Sequence, residues 1–184
     1  MCHSLSENLI KWCEKTSVID ENHYIKAVYG MEVFLENIWK LIGFLLIGIW
    51  VENKVSFFVA IASFSLLRIL AGGRHFKSSL LCFGFVTLVG LFPAYVLGDM
   101  EISTQIVWLL YMVIFSLLYI YAPCMSVAVN KSRKKYAFVL AFIYLVLCLA
   151  MTNVLVKNAI LAGSFIEALT LIKGGKGNEK RANK

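Results

Sequence analysis

The chain has 184 residues, 60% of them hydrophobic and only 16% charged, with a formal net charge of +7. A soluble domain of this length needs a polar surface to cover its core, and this composition excludes one. The excess of Lys and Arg is read as loop charge that sets topology and meets the headgroups of a lipid bilayer. It is not read as nucleic-acid binding, because no basic patch interleaved with aromatics is present.

Residues 1–30 come first. Leu5, Leu9, Trp12 and Cys13 recur at helical spacing, with Glu7, Lys11 and Glu14 off that face. This predicts an amphipathic, interfacial helical segment. It has no compact apolar core followed by a small-residue cleavage site, so internal spans are expected to drive insertion.

Six apolar segments follow. Met31 to Val51 carries Glu32, Glu36 and Lys40, but is wholly apolar from Leu41 onward. Val55 to Ala71 is interrupted by Arg68 near its end. Ser78 to Leu97, Ile102 to Ala122 and Tyr136 to Val156 contain no charge, and each has the roughly 20 residues that cross a hydrocarbon core. Ala159 to Ile172 is shorter and contains Glu167.

The loop charges order these segments. Lys131, Arg133, Lys134 and Lys135 fall in one loop, which the positive-inside rule places in the cytoplasm. One span back, Gly98 to Ser103 carries Asp99 and Glu101 without Lys or Arg, as expected outside. Arg74 and Lys77 then fall inside, Glu52 to Lys54 outside, and the N-terminus inside. Going forward, the turn at Val156 to Asn158 falls outside and the basic tail inside.

The expected fold is therefore an all-α polytopic helical membrane protein with about six transmembrane spans and both termini cytoplasmic. Its parts are the interfacial segment 1–30, a transmembrane catalytic domain 31–172, and a basic tail 173–184 whose Gly/Lys-rich composition predicts disorder. Re-entrant forms of Met31 to Val51 and Ala159 to Ile172 also fit the pattern.

The cysteines are Cys2, Cys13, Cys82, Cys124 and Cys148. Their number is odd and none form a CxxC pair, so neither a disulfide framework nor a zinc site is signalled. No metal and no cofactor is expected.

One polar stretch can carry chemistry: Arg68 to Cys82, RILAGGRHFKSSLLC. Gly72 and Gly73 break the preceding helix and permit a tight turn. Ser78 and Ser79 are N-cap candidates for the next one. Cys82 then lies in the first turn of that helix, where the dipole favours a thiolate. His75 in the loop is the base that would accept the thiol proton. A continuous helix would hold the two about 10 Å apart along its axis, so contact requires His75 to fold back from the turn. The competing reading is that Cys82 is packing and His75 an interfacial side chain.

Two charges lie inside spans, where they are costly and tend to face a cavity or a partner. Arg68 either binds a substrate carboxylate or snorkels to the inner surface. Glu167 pairs with Arg68, contacts substrate, or is a solvated acid.

Arg68, Gly72, Gly73, Arg74, His75 and Cys82 resemble the R…GGxH…C signature of the AgrB family, accessory gene regulator protein B. Tyr121-Ala122-Pro123 with the basic run Asn130 to Tyr136, the stretch Glu167 to Leu171, and YGMEVFLENIWKLI near the N-terminus are similar to that family too. The resemblance implies a membrane cysteine endopeptidase of quorum sensing that processes an AgrD-like precursor peptide at the cytoplasmic face of the cell membrane. Cys82 would attack a peptide carbonyl, with His75 moving the proton, to give a thioester and a released C-terminal fragment. A Cys or Ser of the peptide would then close a thiolactone or lactone. Restricted water at the membrane favours this closure over hydrolysis. Lys131, Arg133, Lys134 and Lys135 would attract an acidic precursor tail. The resemblance also implies a homodimer. It names no third catalytic residue. The alternatives are a small membrane transporter or export component and a membrane scaffold, neither of which needs Cys82.

Overall fold

The computed structural model describes the backbone of residues 21–72, 78–122 and 131–182, and most side chains of residues 27–72, 78–122 and 135–172. All its regular structure is helical, and no strand occurs among the described residues. Among the described residues, five helical stretches are long and apolar enough to cross a membrane: Gly30–Trp50, Lys54–Ala71, Ser79–Leu97, Thr104–Tyr121 and Val154–Ile172. A shorter apolar helix covers Lys135–Ala150. The chain is an all-helical, polytopic, membrane-embedded protein.

Contacts divide it into two units, 1–49 and 50–184. In the first, helix α1 (Glu21–Trp50) runs unbroken through position 30, where the sequence suggests a change from interfacial segment to span. Glu32, Glu36 and Lys40 are spaced four residues apart. Lys40 Nζ lies 3.6 Å from Glu36 Oε2, and Asn37 bonds the Val33 carbonyl at 2.9 Å. Pairing on the same helix face lowers the cost of carrying these groups in a span.

The second unit holds α2 (Lys54–Ala71), α3 (Ser79–Leu91), α4 (Thr104–Tyr121), α5 (Lys131–Ala150) and α6 (Val154–Ala182). Each buries one stripe at helical spacing. On α2 it is Phe57, Ala60, Phe64, Leu67 and Ala71; on α4 it is Val107, Tyr111, Ile114 and Leu118. The opposite faces keep large apolar residues exposed, such as Leu66, Ile69, Leu109 and Met112, as suits side chains solvated by lipid.

Helix α6 is the centre of the unit. It packs on α2, α3, α4 and α5, and more of its span is buried than of any other described span. Small residues allow the approach. A Cβ added to Gly163 would lie 2.6 Å from the Ala60 carbonyl oxygen and would also meet Ser63 Oγ. Without a hydrophobic drive between helices in lipid, this close backbone packing is what holds α2 against α6.

One end of the unit is tied by polar side chains. Asn53 bonds the Ala94 carbonyl at 3.0 Å. Asn158 bonds the carbonyls of Gly98 at 3.2 Å and Met100 at 2.9 Å, and Lys157 bonds that of Ile102 at 2.9 Å. Helix α3 reaches this end through a π-helical turn, Phe92–Leu97. Pro93 has no N–H to continue the α pattern, and the Gly98 N–H bonds the Pro93 carbonyl at 3.0 Å.

Two sequence expectations change. The last turn between helices lies at residues 151–153, before Val154, not at Val156 to Asn158. Asn153 Oδ1 accepts the Val156 N–H at 3.2 Å, an N-cap bond that starts α6 early. The final span is thus Val154–Ile172, 19 residues and full length, while α5 is shortened. Helix α6 is drawn on to Ala182. Propagation from a packed span adds one hydrogen bond per residue and avoids a new nucleus.

Candidate functional site

At the end opposite these polar ties, α2 stops and α3 begins. Helix α2 ends at Gly72, whose N–H bonds the Arg68 carbonyl at 2.9 Å and whose φ is 71°. A side chain there would strain the backbone, so the sequence needs glycine at this turn. Helix α3 starts after Ser78, which has an extended backbone but makes no side-chain capping bond. The serine thus marks the boundary by its conformation alone.

Cys82 follows in the first turn of α3, half-buried, its N–H bonded to the Ser78 carbonyl at 3.2 Å. Antiparallel packing fixes its level. Gly90 faces Phe57 and Ile61, and the Phe85 ring meets the Phe64 ring edge-on at 6.0 Å between centroids. One helical turn further along this register, Cys82 is level with Leu67 and Arg68.

Arg68 does not stand alone. Its Nη1 lies 3.2 Å from Glu167 Oε2 on α6, and its Cζ lies 5.5 Å from the centre of the Phe64 ring. Glu167 is fully buried, and its second oxygen, Oε1, has no hydrogen-bond partner among the described residues. Thr170 Oγ1 donates to the Glu167 backbone carbonyl at 2.9 Å. The two intramembrane charges of the sequence thus meet each other. Arg68 is held sideways into the bundle rather than extended to the surface.

Gly73, Arg74 and His75 lie outside the described residues. Lys131, Arg133 and Lys134 occupy the start of α5, with their side chains outside the description, and Lys135 is exposed. The structure brings together Arg68, Glu167 and the Cys82 level of α3. Phe64 and Phe85 link them. Their signal was spacing: Phe64 is one turn before Arg68, and Phe85 one turn after Cys82.

The other described cysteine is of a different kind. Cys148 is buried, with its sulfur 3.5 Å from Tyr111 Oη and 3.7 Å from the Lys157 carbonyl. It sits on α5 near the end tied by Asn158, away from Cys82.

Residues 3–171 match the family model Accessory gene regulator B. The chain is 24% identical over 169 residues to Accessory gene regulator protein B of Staphylococcus aureus (strain bovine RF122 / ET3-1), covering 88% of this chain and 89% of that one. It is 24% identical over 149 residues to the protein of the same name from Staphylococcus saprophyticus, covering 78% and 79%. No solved structure matches. With the family model spanning nearly its whole length, the chain belongs to the AgrB family, accessory gene regulator B.

Proposed function

We propose that this protein is a membrane cysteine endopeptidase of accessory gene regulator quorum sensing. Cys82 is the nucleophile and His75 its general base and acid. The substrate is an AgrD-like precursor peptide, and the reaction takes place at the cytoplasmic face of the cell membrane. The observation that carries this reading is the placement of Cys82, half-buried in the first turn of α3 and four residues past Ser78, which ends the connection that contains His75.

The chemistry follows from that placement. The thiol sulfur attacks the scissile carbonyl as its proton passes to the imidazole of His75. The C–N bond breaks, and the imidazolium protonates the departing amine of the C-terminal fragment. The peptide remains as a thioester on Cys82. A Cys or Ser side chain within the peptide gives its proton to His75 and attacks the thioester carbonyl. The C–S bond to Cys82 breaks, the Cys82 thiolate leaves and is reprotonated by His75, and a thiolactone or lactone closes. Little water at this depth favours closure over hydrolysis. The basic start of α5, Lys131 to Lys135, suits an acidic precursor tail. Gly72, Gly73 and Arg74 shape and charge the connection that presents His75. A homodimer fits the family.

Co-expression with the precursor tests the proposal. Wild type should release a shortened peptide, and Cys82→Ala and His75→Ala should each leave the precursor intact. Normal cleavage by Cys82→Ala at wild-type protein levels would overturn it and favour a transporter or scaffold.

A further inference from the structure

The Arg68–Glu167 pair is only half satisfied. Glu167 Oε2 bonds Arg68, while Oε1 is buried without a donor among the described residues. A carboxylate oxygen stripped of water and left unpaired is costly, more so at membrane depth, and such groups concentrate where something else completes them. The pair also lies at the level of Cys82 on the neighbouring helix, through the Phe64–Phe85 contact.

The electrostatics restrict what completes it. Glu167 already balances the charge of Arg68, so the pair has no net charge to offer a substrate carboxylate. A substrate ammonium at Oε1 would be an additional buried charge without a partner. An uncharged N–H matches the free lone pair without adding charge, and a peptide held beside a cysteine nucleophile presents such groups along its main chain.

We propose that Arg68 and Glu167 form a substrate-positioning pair, in which Glu167 Oε1 accepts a main-chain N–H of the precursor peptide next to the bond that Cys82 attacks. Arg68 holds the carboxylate in place, and the peptide supplies the missing donor. This rests on the peptidase reading for the identity of the ligand, but it concerns binding and not the bond-breaking step.

A binding cycle tests it. Full-length protein with Cys82→Ser, held in lipid nanodiscs, is titrated with a synthetic AgrD-like precursor. It is then titrated with a series of esters, each replacing one N–H around the cleavage site by oxygen. One ester position should bind about tenfold more weakly or worse, as expected for a lost hydrogen bond to a charged acceptor. The Arg68→Met/Glu167→Leu double variant should accumulate normally, because apolar replacement of a buried ion pair is often neutral or stabilising. It should bind the parent precursor weakly, and the same ester should cost it nothing further. Glu167→Gln, which keeps the size and a bond to Arg68, should reproduce the loss and serves where the double variant does not accumulate. Equal binding of every ester, or wild-type affinity in both variants, overturns the proposal. Cleavage by a Cys82→Ala protein would instead overturn the peptidase reading and leave the binding result standing.

Discussion

Arg68 and Glu167 are 99 residues apart in the chain, and their side chains meet at 3.2 Å. The contact joins the last turn of α2 to the buried face of α6. It makes the two helices one support for the end of the bundle where α3 begins.

Breaking that pair from one side should be far worse than replacing it. Arg68→Met alone leaves a buried carboxylate without its partner, and Glu167→Leu alone leaves a guanidinium; each should cost about 3–5 kcal/mol. The double replacement should recover most of the loss. Thermal unfolding of the four proteins in one detergent measures this. Additive single effects would show that the two residues do not interact.

Gly163 should tolerate no side chain. The Ala60 carbonyl oxygen lies 2.6 Å from where a Cβ would stand, and backbone cannot move aside as a side-chain tip can. Gly163→Ala should destabilise by about 1–3 kcal/mol, the usual cost of overpacking, and Gly163→Val by more. Adding Ser63→Ala should restore little, because it removes the hydroxyl but not the carbonyl. Full rescue by Ser63→Ala would place the constraint in the side chain.

The described cysteines should separate by reactivity and by role. Cys82 is half-buried and Cys148 is buried against Tyr111 and the Lys157 carbonyl. A small maleimide should label Cys82 first in the folded protein. Cys148→Ala should leave precursor cleavage intact while lowering the unfolding midpoint. Equal labelling rates of the two thiols under native conditions would contradict the packing around Cys148.

Asn158 should govern the loop between α3 and α4. Its side chain holds the carbonyls of Gly98 and Met100. Asn158→Ala removes both bonds and should cost about 1–3 kcal/mol. Amide exchange should quicken around residues 98–102 and stay unchanged around Cys82. Uniform exchange across the whole bundle would mean that the ties act globally.

Much of this was legible in order of residues. Uncharged runs marked the spans between Ser79 and Tyr121, and the glycines at 72 and 73 marked the end of α2 beside the candidate nucleophile. The last turn was misplaced because Asn153 lies within the uncharged run Tyr136 to Val156, while Lys157 and Asn158 directly follow it. Asn153 caps a helix, whereas Asn158 turns inward to bond a loop from another part of the chain. Hydropathy does not distinguish these roles, since the partners of Asn158 are about 60 residues away.

The sequence by itself determined the solvent and the chemistry on offer. Lipid demands long apolar helices whose backbone groups are satisfied internally, and composition reports that demand directly. It also placed a cysteine at a helix start behind a glycine turn, and two charges within spans. Only the tertiary structure decided that those two charges belong together, that α6 is the central helix, and that the pair lies level with Cys82. These are consequences of which small residues let α2 and α6 approach and how α2 and α3 interlock. Such packing depends on distance in space, which position along the chain does not encode.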